Sequence, residues 1–248
     1  MIIIKNNKEI DLMRSAGKIV AETLLLIEEK VRPGITTAEL DSIAEEFITK
    51  HGARPSFKGL YGFPASLCIS VNEQVVHGIP GGYVLKDGDI VSVDCGANIN
   101  GFHGDAARTF GVGNITKEAE KLINVTRESF FKGIEYAKVG NRLTDISHEI
   151  QNCVEAAGFS VVRDFVGHGI GRVVHEDPDI PNYGPPGRGP KLVEGMALAI
   201  EPMVNAGSYK VKTLSNDWTV VTSDGSLSAH YENTIVILPD GPEILTLI

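Results

Sequence analysis

The chain has 248 residues, 42% of them hydrophobic, which is enough for one large domain or two small ones with a substantial core. Its formal net charge of −9 argues against broad binding to nucleic acid or to an anionic membrane. The N-terminus lacks a signal-peptide core, no apolar run reaches the roughly 18 residues of a membrane span, and Cys68, Cys95 and Cys153 form no CxxC pair, so a reducing cytoplasm is the expected setting.

Apolar side chains at Ile10, Met13, Ala16, Val20, Leu24, Ile27 and Val31 recur in steps of three and four, which predicts an amphipathic helix over 8–31, stopped by Pro33-Gly34. Thr36 followed by Glu39 is a capping box for a second helix that runs to about Lys50, with Gly52 as its stop. Residues 56–70 read as a loop leading into a strand, and 75–80 as a short strand ending in a turn.

A hairpin follows over 91–110. Val91, Val93 and Cys95 alternate with Ser92, Asp94 and Gly96, and Asn100-Gly101 is a strong two-residue turn signal. With that turn, Ile99 pairs with Phe102, Asp94 faces Ala107 and Asp105 faces Gly96. Asp94 and Asp105 then share a face as diagonal neighbours, roughly 7–8 Å apart at the backbone. Two carboxylates so placed suit a divalent cation; taken alone they read equally well as solvated acids on a strand face. Thr116 opens a third helix, whose stripe is Leu122, Val125, Ser129 and Gly133 with Phe130 and Ile134 beside it.

The chain then repeats. Gly34 to Gly52 and Gly140 to Gly158 share one spacing, and VLKDGDIVSVD (84–94) lies over KLVEGMALAIE (191–201), which aligns Asp94 with Glu201. Any two helix–turn–strand segments share some features, but two separate matches at nearly one offset argue for a duplication. The expectation is a single catalytic domain over 1–248 with internal halves of about 1–115 and 116–248, and a ligand site in the cleft between them. FVGHGIG (165–171) reads as the second half's version of VVHGIP (75–80). Glu201 and Glu232 read as echoes of Asp94 and Asp105.

The candidate site is therefore Asp94, Asp105, His168, Glu201 and Glu232. Four carboxylates around one point require cations: two divalent ions balance them, and a bridging hydroxide takes one charge back. Oxygen-rich ligation with one imidazole suits manganese, iron, cobalt or zinc without choosing among them. Such an ion pair is a hydrolytic device, lowering the pKa of a bridging water and polarising a carbonyl. His168 taken alone reads as a turn histidine. His77 and His175 lie in turns near these segments, as acid–base groups or as capped surface histidines. His51, His103, His148 and His230 are left as structural. Trp218, the only tryptophan, is either core or a pocket wall in a polar stretch.

SVNEQVVHGIP (70–80), GDIVSVD with GFHGD (88–94 and 101–105), VGHGIGRVVHEDP (166–178), AIEPM (199–203) and SAHYENTIVI (228–237) together resemble the type I methionine aminopeptidases of the bacterial form, in the pita-bread metallopeptidase family. The resemblance spans nearly the whole chain. It implies an α+β pita-bread fold, two pseudo-symmetric α/β halves around a central dinuclear metal site. It implies Asp94, Asp105, His168, Glu201 and Glu232 as ligands, with Asp105 and Glu232 bridging. It further implies that His77 and His175 contact the substrate, that Glu201 shuttles a proton, and that Phe63, Cys68 and Trp218 line the methionine pocket. The reaction it implies is attack of a dimetal hydroxide on the first peptide bond. Val76 stands where the family often has cysteine, His230 where glutamine is common, and Leu60 and Val174 where aromatics are often found. The expected partners are the N-terminal methionine of nascent polypeptides and, transiently, the ribosome, for a cytoplasmic monomer with no membrane or specific nucleic-acid partner.

Two rivals remain at this point. A prolidase or aminopeptidase P shares the fold but generally carries a large extra N-terminal domain, whereas the first helix here is expected within ten residues of Met1. A non-catalytic binding relative would tend to lose ligands, and all five positions are kept. The short stretch between His175 and Glu201 also lacks the insertion of type II enzymes, and no zinc-finger extension precedes the first helix.

Overall fold

The computed structural model describes residues 1–248. Helix α1 (Asn7–Lys30) starts on a capping box: Asn6 accepts from the Glu9 N–H at 3.1 Å and Glu9 accepts from the Asn6 N–H at 3.1 Å. Helix α2 (Thr37–Lys50) starts on the Thr36–Glu39 box that the sequence predicts. Strands β1 (Arg54–Pro55), β2 (Leu67–Val71) and β3 (Gln74–Val76) lead to β4 (Ile90–Ile99) and β5 (Phe102–Gly111). The β4–β5 register is the expected one, with Ile99 opposite Phe102, Asp94 opposite Ala107 and Asp105 opposite Gly96. Asn100 at φ 55° and Gly101 at φ 80° make the left-handed turn that the pair requires.

The second half opens with α3 (Lys117–Ile134) and α4 (Leu143–Ala156). On α3, Thr126 is buried where the periodicity points to Val125, which is half-buried. The Thr126 hydroxyl donates to the Leu122 carbonyl at 2.7 Å, so burial leaves it satisfied. The chain continues through β6 (Ser160–Val161), β7 (Gly167–Gly169), β8 (Glu176–Ile180), β9 (Ala197–Ile200), β10 (Met203–Asn205), β11 (Val211–Thr213), β12 (Val220–Thr222), β13 (Ser228–His230), β14 (Asn233–Leu238) and β15 (Gly241–Ile244). Four sheets result: β1-β4-β2 with β5 on β4, β13-β10-β6, β11-β12-β3, and β15-β14-β9-β7-β8. One core lies between α1, α2 and the β2–β4–β5 sheet, and another between α3, α4 and the β9–β14 sheet. No helix is long and apolar enough to cross a membrane.

The repeat is visible atom by atom. α2 and α4 are both 14 residues long and start 106 positions apart. The Gly34 N–H donates to the Leu85 carbonyl at 2.8 Å, and the Gly140 N–H to the Leu192 carbonyl at 2.9 Å. Both glycines are left-handed, at φ 93° and 96°, which an L side chain resists. β4 and β9 start 107 positions apart.

Two correspondences differ from the sequence reading. Ser70 pairs with Ser92 beside β4, and His168 pairs with Ala199 beside β9, so His168 occupies the place of Ser70 and not that of His77. The match to Val75-Val76-His77 is Val173-Val174-His175, 98 positions on, with Pro80 matching Pro178. The second difference lies where the halves meet. Ala107 and Glu232 exchange backbone hydrogen bonds at 3.3 and 3.0 Å. On one side Thr109 Oγ1 bridges the N–H and carbonyl of His230, both at 2.9 Å; on the other Thr234 Oγ1 bridges those of Asp105, at 3.0 and 2.9 Å. By this pairing the mate of Asp105 is His230 and the mate of Glu232 is Ala107. A strand match by composition alone misses this, because the strand pairing between the halves sets the equivalence.

Candidate metal centre

A cavity of about 510 Å³ opens between the halves, and all ten site residues expected from the sequence line it. The hairpin supplies Asp94 and Asp105, β7 supplies His168, Glu201 follows β9, and Glu232 lies between β13 and β14. One ligand atom each from Asp105, His168 and Glu232 lie within 4.8 Å of one another. His168 Nε2 is 3.5 Å from Glu201 Oε1 and 4.0 Å from Asp105 Oδ2. Its Nδ1 lies 2.9 Å from the Gly169 carbonyl. A carbonyl only accepts, so Nδ1 carries the hydrogen and the Nε2 lone pair faces the carboxylates. A lone pair and carboxylate oxygens aimed at one point leave a space that suits a cation.

The polar bookkeeping agrees with that fit. Asp94 Oδ1, Asp105 Oδ1, Glu232 Oε1 and His230 Nε2 are buried without a hydrogen-bond partner. Burial pushes the Asp94 carboxyl up to about 7. Burial first, and then the neighbouring Asp94 and Glu201 charges, hold Asp105 well above the usual carboxylate range. Burial raises Glu201 in the same direction. For Glu232 the causes are burial, then Asp105, Glu201 and Asp94. Burial lowers His168 to about 4, with His175 adding to the effect, so this ring is neutral. Several oxygens and one neutral imidazole form a donor set for a divalent ion.

His77 sits at φ 58° just past β3, its ring edge-on to Phe165 at 5.5 Å, and burial lowers it to about 4. The exposed His175 ring meets His168 edge-on at 4.6 Å and stacks on Tyr61 at 5.9 Å. Beside the carboxylates, with Cys68 paired to Asp94, Phe63, Cys68 and Val174 form an apolar wall with Leu60 and Trp218 against it. The Trp218 ring packs edge-on to Phe63 at 5.1 Å. The Cys68 thiol is pushed up by burial and by the Asp94 charge, and stays protonated.

His230 is the residue that sequence reasoning set aside. Its Nε2 lies 3.5 Å from Glu201 Oε2. Strand alternation held the signal, since residues 230 and 232 share a face when the local backbone stays extended. Tyr61 and Phe165 also line the cavity and were not singled out.

Residues 11–239 match metallopeptidase family M24. The methionine aminopeptidase of Clostridium perfringens is 79% identical over 248 residues, covering 100% of both chains. The solved methionine aminopeptidase of Thermotoga maritima superposes with a TM-score of 0.99 at 49% identity, again covering 100% of both. The prolidase of Pyrococcus furiosus has a TM-score of 0.82 at 23% identity, covering 99% of this chain and 66% of its own, which is a likeness of fold alone.

Proposed function

The chain belongs to metallopeptidase family M24 and has its pita-bread fold, and from that premise we propose that it removes methionine from the N-terminus of nascent polypeptides. The observation that carries this reading is one cavity with two kinds of lining: buried carboxylates and a neutral imidazole, and beside them an apolar wall. The first suits hydrolytic metal chemistry and the second suits an unbranched thioether side chain.

In this reading Asp94, Asp105, His168, Glu201 and Glu232 hold two divalent ions drawn from cobalt, manganese, iron or zinc. When bound, such ions supply a nucleophilic hydroxide at neutral pH and polarise the scissile carbonyl. The remaining roles fall to side chains. Phe63, Cys68 and Trp218 seat the methionine side chain and exclude water around it. His77 and His175 donate hydrogen bonds to the carbonyl oxygen as negative charge develops there. Glu201 takes a proton and passes it to the leaving amine. Residues 1–248 act as one catalytic domain of two related halves, about 1–115 and 116–248. The three free thiols fit a reducing cytoplasm. A monomer that meets its substrate at the ribosome completes the reading.

Hydrolysis of Met-Ala-Ser against Xaa-Pro dipeptides, with elemental analysis of the same preparation, tests it. Release of methionine with no action on Xaa-Pro, and divalent metal in the protein, is the expected result. Cleavage of Xaa-Pro in place of Met-Ala-Ser would overturn it.

A further inference from the structure

We propose that Lys5 is a positioning residue for the turn that carries His175, acting through a buried ion pair with Glu176; this rests on the reading of His175 as a substrate contact. Lys5 Nζ donates to Glu176 Oε2 at 2.5 Å, and each side chain is only 3% exposed. A second Nζ hydrogen goes to the Ile3 carbonyl at 3.0 Å, and the Lys5 N–H anchors on the Gly195 carbonyl at 2.8 Å. The free oxygen of Glu176 works on the turn itself. Its Oε1 accepts the Arg172 N–H at 2.8 Å and the Val173 N–H at 3.5 Å.

The pair therefore fills the inside of the turn over 171–176. A Cβ at Gly171 would lie 2.5 Å from Lys5 Cε and 2.7 Å from Glu176 Oε1, so only glycine leaves room for it. The other side of the turn is held as well: the Gly171 carbonyl accepts the His103 N–H at 2.8 Å, and Glu176 pairs with Gly169 on β7, next to His168. His175 precedes Glu176, and its exposed ring is placed by this backbone. The corresponding turn in the first half is built differently. Gly78 stands where Glu176 does, and its N–H donates to Ser70 Oγ at 3.1 Å. A hydroxyl steadies His77, whereas a buried charge pair steadies His175. Removing Lys5 leaves an uncompensated carboxylate in the turn, which then reorganises to reach water.

The test is a double-mutant cycle read with Met-Ala-Ser on the metal-loaded full chain. Lys5→Met is expected to lower kcat about 10-fold or more with KM changed less than about 3-fold, the size typical of lost support behind a functional residue. In a His175→Ala background the same change is expected to cost less than about 2-fold, because the residue it acts through is gone. A loss of the same factor in both backgrounds, or no loss in either, overturns the proposal. Full activity of His175→Ala alone would instead sink the role of His175. Independently of turnover, the His175 ring resonances are expected to shift in Lys5→Met while those of His77 stay in place; unmoved His175 resonances overturn the proposal. Should Lys5→Met fail to fold, Lys5→Gln, which keeps a hydrogen-bond donor without the charge, is read in the same two ways.

Discussion

Ser70 on β2 and His168 on β7 occupy the same place beside β4 and β9, yet one is a hydroxyl that accepts a backbone N–H and the other an imidazole facing carboxylates. The same contrast runs through the other pairs: Ala107 against Glu232, Asp105 against His230, Gly78 against Glu176. By comparison, Gly34 and Gly140, the 14-residue helices α2 and α4, and the strands leading to Asp94 and Glu201 match closely. The repeated positions carry backbone geometry, which either half needs in order to fold. The unrepeated ones carry chemistry at the join, where one shared site is enough.

Substitutions at mated positions separate the two classes. Asp105→Ala should lower kcat/KM for Met-Ala-Ser by about 10³-fold or more, while His230→Gln at the mated position should cost about 10-fold or less. Equal losses at both would erase the distinction between the halves. The next effect is thermal. Asp94 has its carboxyl raised from 3.8 to about 7, so folding takes up a proton between those values and the metal-free protein loses stability as pH rises through that window. A divalent ion competes with the same proton. Added metal at about 100 times its Kd should therefore stabilise by about 2.7 kcal/mol, and its advantage in melting temperature should be larger at about pH 8 than at about pH 5. A metal shift that is independent of pH would contradict the crowded-carboxylate account. Gly34→Ala and Gly140→Ala should each cost about 1–2 kcal/mol in urea unfolding, and the double variant should show their sum. Unequal costs would mean that the frame is less repeated than it looks. Smallest of all, Trp218→Ala should raise KM for methionine peptides about 10-fold with little change in kcat, since the ring packs on Phe63 in the apolar wall.

What could be read from the sequence was whatever local chemistry decides. Asn100-Gly101 sets the hairpin register by itself, so the positions of Asp94 and Asp105 follow without any tertiary contact. Thr36-Glu39 caps its helix within four residues, and left-handed glycines mark the repeat because few other residues tolerate their backbone. His168 and His230 were harder. The strand beside His168 is thirty residues away, and His230 meets Glu201 only through the pairing of β13 with β10. Nothing in the neighbourhood of either residue states which strand it will face. Val125 and Thr126 show a smaller version of the same limit: periodicity gives the face, but a threonine can bond its own helix and go inside.

The exchange between Ala107 and Glu232 has one more consequence. Two identical halves joined as a homodimer would have to present one side chain twice at such an axis, either two methyl groups or two acids in collision. A single continuous chain is free of that constraint. It can set a small residue on one flank and a carboxylate on the other, so the contact point of the halves becomes a place where a lone acid reaches the cavity without an opposing twin.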